Sequence, residues 1–294
     1  MKIIKLLLIM IFICVFLAGC SEGEKETIIV GSKDFIEQYI LGNMLTILIE
    51  ANTNFAVTFN DNMASHVIFA AIGTDVIDLY VDYTGTIYGY YLNMSDTKTA
   101  QEVYDFSARE LMERYDLRLL GFLGFNNTFC LAVRQDTADE FDLRTFSDLA
   151  KVSSDFIFGG SAEIITRNDG LPNLKRLYNM SFKEERVFHN DERYQAITGN
   201  EIQVAEVFST DGQIMENNLV VLEDDKQFFP PYHGVIVIRN EIAERHPNLV
   251  EVLGKLEGLL TDDVMRGLNY RADVLGESPV DVAESFLRLH SLIK

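Results

Sequence analysis

Four aromatic residues stand beside polar turns instead of on the period of a buried face. Tyr83 runs into Thr84-Gly85-Thr86, Phe129 follows Asn126-Asn127-Thr128, Phe208 precedes Ser209-Thr210-Asp211-Gly212, and Tyr232 follows Phe228-Phe229-Pro230-Pro231. A ring face carries negative potential, so several rings around one small space form a cage for a quaternary ammonium, each face contributing about 0.5–2 kcal/mol. Such a cation offers no N–H to a carboxylate, which is why rings suit it. Each ring taken alone suits core packing better than a cage, and only a family pattern lifts the cage reading above it. Other chemistry is poorly served. His66, His189, His233, His246 and His290 are scattered, with no HExxH and no i,i+4 pair, so no metal set is expected. GxSxG, GxxxxGK[ST] and GxGxxG are absent, and Gly159-Gly160-Ser161 reads as a turn after a strand. The acidic runs Glu223-Asp224-Asp225 and Asp262-Asp263 suit solvated turns or helix starts. No catalytic constellation and no cofactor motif are present.

The elements that must carry these residues follow from periodicity. Short apolar strands are expected at Thr27–Gly31, Ala56–Phe59 and Asp78–Val81, with helices at Phe35–Ala51, Ala64–Ile72 and Thr99–Tyr115 between and after them. Leu119–Phe125 leads into a strand at Phe129–Val133, and the pattern restarts with strands at Phe156–Phe158 and Val204–Phe208 and helical runs at Leu174–Tyr178 and Tyr194–Ile197, while Val220-Val221-Leu222 leads to Glu223-Asp224-Asp225-Lys226 and the break Pro230-Pro231. Gly234–Ile238 is a further strand, followed by helices over Pro247–Leu260, Thr261–Asn269 and Pro279–Leu292. Alternating strands and helices predict two α/β lobes with largely parallel sheets and a helical tail. Ligands of such sheets gather at the carboxyl ends of strands, where Lys33 and Tyr83–Thr86 fall.

The chain has 294 residues, with 25 Lys+Arg against 45 Asp+Glu and a formal charge of −20. That sign disfavours nucleic acid and electrostatic docking on anionic lipid. The 48% hydrophobic content supports sizeable cores, and the length suggests about two domains. Met1, Lys2 and Lys5 precede an apolar run from Leu6 to Ala18, then Gly19-Cys20, which fits a secretory signal and is short for a spanning helix. Leu17-Ala18-Gly19-Cys20 resembles a bacterial lipobox, so residues 1–19 are expected to be removed, Cys20 lipidated, and residues 20–26 to form a tether. Cys130, in an apolar stretch, reads as a buried inert thiol.

Six motifs occur in order: Gly31-Ser32-Lys33-Asp34-Phe35-Ile36-Glu37-Gln38, Tyr83-Thr84-Gly85-Thr86, Arg167-Asn168-Asp169-Gly170, Ser209-Thr210-Asp211-Gly212, Leu222-Glu223-Asp224-Asp225-Lys226 and Pro230-Pro231-Tyr232. Together they resemble the substrate-binding proteins of ABC importers for osmoprotectants (glycine betaine, proline betaine, carnitine and choline). The resemblance covers about residues 27–294.

It implies a two-lobed, periplasmic-binding-protein-like α/β fold of type II, with a hinge and an interlobe cleft. Lobe I would be 27–125 plus 226–294 and lobe II 126–225. The cage would be Tyr83, Phe129, Phe208 and Tyr232; the carboxylate of a betaine would meet Lys33, Thr86 and Arg167. Asn127 and Glu163 match positions that set the cage or hold the closed form. Phe129 and Phe208 stand where many relatives have Tyr, and Asn127 replaces an acid found in some. The implied role is an extracytoplasmic, lipid-anchored receptor, not an enzyme. It would deliver glycine betaine or proline betaine to a permease with a separate ATPase. The alternatives are a choline or carnitine receptor, or an exported enzyme acting on a quaternary amine.

Overall fold

The computed structural model describes residues 25–95, 98–189 and 192–294. The expected signal peptide, Cys20 and residues 20–24 of the tether therefore lie outside the described residues. Among the described residues, ten strands form two five-stranded sheets. The first contains β1 (Thr27–Lys33), β2 (Ala56–Met63), β3 (Leu79–Tyr83), β4 (Leu117–Asn126) and β10 (His233–Arg239), in the order β2-β1-β3-β10-β4. The second contains β5 (Phe129–Arg134), β6 (Ile157–Gly160), β7 (Glu184–Val187), β8 (Val204–Phe208) and β9 (Leu219–Val221), in the order β7-β6-β8-β5-β9. The chain passes between the sheets twice, from β4 to β5 and from β9 to β10.

Each sheet is largely parallel, as expected, with one reversed strand that makes it mixed. β1 runs parallel to β2 and β3, and β6 parallel to β7 and β8. The strands that follow the crossovers run the other way: β10 is antiparallel to β3 and β4, and β5 to β8 and β9. A βαβ unit fixes its two strands parallel, but a strand arriving from another sheet has no crossover helix to set its direction.

The first helix, α1 (Ile36–Asn52), buries Ile40, Leu41, Met44, Leu45, Leu48 and Ile49 against the first sheet and the C-terminal helix α5 (Pro279–Leu289). Its partners α2 (Ser65–Gly73), α3 (Ala100–Tyr115) and α4 (Asp262–Asp273) pack in the same lobe. Their ends are chemically marked. Thr99 and Glu102 form a reciprocal capping box for α3, the Thr261 hydroxyl accepts from Val264 N–H at 3.3 Å before α4, and Pro279 opens α5. Every residue of β3 is buried, as expected for a central strand covered on both faces. Cys130 lies buried on β5, and burial pushes its thiol up to about 12, so it stays protonated and unreactive at neutral pH.

Candidate functional site: a ring-lined cleft between the two sheets

The cleft begins where β1 ends. Lys33 is the last residue of that strand, and its side chain is 5% exposed. Its Nζ lies 2.5 Å from Oδ1 of Asp82, on the neighbouring β3, and 5.1 Å from the Tyr83 ring centre. Asp82 also accepts the Tyr83 N–H at 2.8 Å and the Tyr80 hydroxyl at 2.7 Å. A buried pair of this kind is held by geometry and by extra hydrogen bonds on the carboxylate.

Four residues further on, in the first turn of α1, the Glu37 carboxylate is buried and accepts four hydrogen bonds. The Tyr83 hydroxyl (2.7 Å) and the Asn127 amide (2.6 Å) reach Oε1; the Thr210 hydroxyl (2.6 Å) and the Asn269 amide (2.8 Å) reach Oε2. Burial raises the Glu37 carboxyl above its ordinary value, and the four donors oppose that rise. The helix N-terminus also favours the anion.

The rings converge from both sheets. Phe129 and Phe208 are directly opposed in the antiparallel register of β5 and β8, so their rings meet at 5.0 Å as a cross-strand pair. Phe129 also lies 5.5 Å from Tyr232, at 89°, and 5.6 Å from Phe229. Phe35 lies nearly parallel to Tyr83 (6.3 Å) and to Phe208 (6.0 Å), linking a ring of the first lobe to one of the second. The Tyr232 ring rests on the backbone of Gly85, where a Cβ would come within 2.6 Å of it. Two hydrogen bonds stitch the crossovers together beneath these rings, Asn127 N–H to Tyr232 O (3.0 Å) and Tyr232 N–H to Asn126 Oδ1 (2.7 Å). The buried Tyr232 hydroxyl finds no partner among the described residues.

On the second lobe, Arg167 follows a short helix (Ala162–Thr166). Its Nε and Nη2 grip Asp169 at 2.8 and 2.5 Å, and its Nη1 meets Glu163 at 3.1 Å. The guanidinium carbon lies 4.3 Å from the Tyr90 ring centre and 5.7 Å from that of Phe129. Burial works against this charge, but the Asp169 bonds outweigh it and hold the pKa above its ordinary value. Glu163 reaches across to the first lobe, where it accepts from the Ser65 N–H (3.3 Å) and hydroxyl (3.2 Å) at the start of α2.

Of the residues singled out in the sequence, Lys33, Phe129, Glu163 and Phe208 line a cleft of about 410 Å³, together with Phe35, Glu37, Ser65, Ser161, Arg193 and Asn269. Tyr83, Asn127, Arg167 and Tyr232 are buried in contact with that lining, and Thr86 is buried at the head of a π-helix (Thr86–Tyr91). Glu37, Phe35 and Asp82 were missed as site residues. Glu37 carried a usable signal, because it shares the 37-41-44-48 stripe with Leu41, Met44 and Leu48, making it a carboxylate on a buried helix face. Among the described residues no cluster of His, Cys, Asp and Glu suits a metal ion, and no helix is long and apolar enough to cross a membrane.

Glu163 makes the interlobe contact pH-dependent. Burial raises its carboxyl, but Arg167, Lys33 and Ser65 outweigh burial and hold it below its ordinary 4.5. A depressed carboxylate contributes stability above its unfolded value and loses it as pH falls through the folded one. The difference in melting temperature between the native chain and Glu163→Gln is therefore expected to be present at neutral pH and to be lost as pH falls through the folded value, which lies below the ordinary one. Glu37 and Glu206, both raised by burial, act with the opposite sign in both proteins and cancel in that difference. A difference that does not change with pH would remove Glu163 from the contact.

Comparison with known proteins places the chain in a family. Residues 26–289 match the family described as the substrate binding domain of ABC-type glycine betaine transport system. The carnitine transport binding protein OpuCC of Listeria monocytogenes is 33% identical over 281 residues, covering 93% of this chain and 91% of that one. The ergothioneine transport permease/ergothioneine binding protein EgtU of Helicobacter pylori is 35% identical over 266 residues, 90% of this chain; the chain spans about half, 48%, of that relative's length. A crystal structure described as a glycine betaine/carnitine/choline ABC transporter is 32% identical with a TM-score of 0.76, covering 91% of this chain and all of that one. The mixed α/β fold, the two lobes and the cleft between them are those of such proteins. The chain belongs to the family of substrate binding domains of ABC-type glycine betaine transport systems, and is a binding protein and not an enzyme.

Proposed function

We propose that the cleft holds a zwitterionic quaternary-ammonium solute, glycine betaine or a larger betaine, and that closure of the lobes around it presents the solute to a permease with a separate ATPase. The observation that carries this reading is the pair Phe129 and Phe208 lining one cleft with Lys33, while Tyr83, Tyr232 and Arg167 lie buried directly behind that lining, Arg167 against the Phe129 ring. The rings take the trimethylammonium; Lys33, Thr86 and Arg167 take the carboxylate, while Asn127 and Glu163 support the closed form. A guanidinium has five N–H groups, and Asp169 and Glu163 engage three of Arg167's, leaving two for a ligand oxygen. A solute held by both lobes favours the closed state by its differential affinity, which is what drives a hinge. The hinge lies at the two crossovers, dividing lobe I (27–125 and 226–294) from lobe II (126–225). A cleft of about 410 Å³ lies within the ordinary range for small-molecule sites and leaves room for a betaine with a longer body. Placement outside the cytoplasm, through a lipid on Cys20, follows from the N-terminal sequence.

A second reading has its own observation. Asp34, Glu37, Glu163, Asp211 and Asp273 line the cleft against the two lining cations Lys33 and Arg193, an excess of acidic side chains that suits choline, which brings no carboxylate. Calorimetric titration against glycine betaine, proline betaine, carnitine and choline separates the readings. Betaines are expected to bind more tightly than choline. Choline binding as tightly as glycine betaine would sink the carboxylate-holding role of Lys33 and Arg167, and silence from all four would sink the receptor reading for this solute class.

A further inference from the structure

We propose that Glu37 is the keystone of the site: it registers the ring-bearing segments of both lobes against one another and supplies the fixed negative charge that selects a cationic solute. Its four donors come from four separate stretches of chain. Tyr83 is itself a ring residue of β3, Asn127 lies in the first crossover two residues before Phe129, Thr210 follows Phe208 by two residues, and Asn269 belongs to α4, 232 residues along the chain. Phe35, whose ring links Tyr83 to Phe208, precedes Glu37 by two residues. All four lone-pair directions of the carboxylate are thus filled, and each bond carries a constraint on one wall of the cleft. Glu37 also borders the cleft, so its charge acts on the solute at short range and in a low-dielectric surrounding. Lobe opening that moved Thr210 away from α1 would leave the carboxylate short of a donor, so the closed arrangement is the satisfied one.

The proposal rests on the quaternary-ammonium reading above. It is tested with glycine betaine and its uncharged-head isostere 3,3-dimethylbutanoate, which keeps the carboxylate and the shape but replaces the ammonium with carbon. In Glu37→Gln the preference of the chain for glycine betaine over the isostere is expected to fall by about tenfold or more. The double variant Glu37→Gln/Asn127→Asp, which returns the charge to a side chain already in contact with residue 37, is expected to regain most of that preference. It also decides the question if the single variant does not fold. Thr210→Val keeps the charge and removes one of the two bonds that reach Glu37 from lobe II, leaving that of Asn127 at the crossover; it is expected to weaken both compounds about three- to tenfold with the preference unchanged. Equal weakening of both compounds in Glu37→Gln, or a double variant that folds without the preference, overturns the charge-selecting role; unaltered affinity in Thr210→Val overturns the interlobe role. A native chain that binds no quaternary amine fails the solute reading itself and takes this proposal with it, whereas a native chain that binds glycine betaine leaves the variants to decide.

Discussion

Arg167→Ala is expected to weaken glycine betaine by about 100-fold or more while leaving choline within a few-fold of its starting affinity. Removing one partner of a buried, hydrogen-bonded charge pair costs about 2–5 kcal/mol, and each 1.4 kcal/mol is a factor of ten. The Arg167 side chain is 6% exposed, so water does not substitute for it when a carboxylate is bound. Choline makes no such bond. It also gains attraction, because Asp169 and Glu163 lose their counter-ion and become net negative charges beside the cage. The variant thus separates the ligand-binding role of Arg167 from a purely structural one, in which both solutes would weaken alike. An uncompensated Asp169, 9% exposed, lowers folding stability as well, by up to about 3–5 kcal/mol. Arg167→Ala/Asp169→Asn is the control: it is expected to recover melting temperature without recovering betaine affinity. Calorimetry with the two solutes and a thermal melt of each variant check both halves. Equal losses for glycine betaine and choline would place Arg167 outside the carboxylate site.

How much of this was legible in the sequence depends on how far apart the cooperating residues lie. The strands and helices that carry the site were legible because each is set by its own short pattern. The apolar runs at β1, β3 and β8 and the Thr99, Thr261 and Pro279 helix starts are local signals, and the structure has elements at those places. Strand direction was not legible in the same way. β10 lies between β3 and β4, and nothing within Gly234–Ile238 states that it runs antiparallel to both. The pairing of Phe129 with Phe208 is likewise a property of register, decided by two strands that are far apart in sequence.

The missed residues fail for a related reason. Asp82 sits inside a strand whose every residue is buried, and an acid there looks like an exception until Lys33 is seen opposite it. Glu37 in a first helical turn looks like an ordinary helix-start acid. What raises it to a hub is the arrival of Asn127, Thr210 and Asn269, none of which is near it in sequence. The overall charge of −20 takes on local meaning through the same residues. Glu37 and Glu163 bring acidic side chains to the lining of the cleft, while Asp82 and Asp169 lie behind it, each paired with a buried cation.

Phe129→Leu gives the sharpest test of whether the rings are a cage or only a core. Phe129 is 7% exposed and touches Phe208, Phe229 and Tyr232, so a packing role alone would explain its burial. Leucine keeps most of the buried apolar surface and removes the π face. Its expected cost to folding is about 1–2 kcal/mol, well below the 3–5 kcal/mol of truncation to Ala. A desolvated cation over a ring face gains about 2 kcal/mol, so the same change is expected to weaken quaternary-ammonium binding roughly 30-fold. Phe129→Tyr is the matched control, because it keeps the face and adds a hydroxyl. Tyr is expected to hold affinity within a few-fold, with its stability set by whether that hydroxyl finds a partner beside Arg167. If the ring binds the cation, the two variants separate in affinity, where Leu is the more damaging, while both are mild for stability. If Leu retains affinity within twofold, Phe129 is core, and the cage would have to be built from Tyr83, Phe208 and Tyr232 without the ring that links the last two.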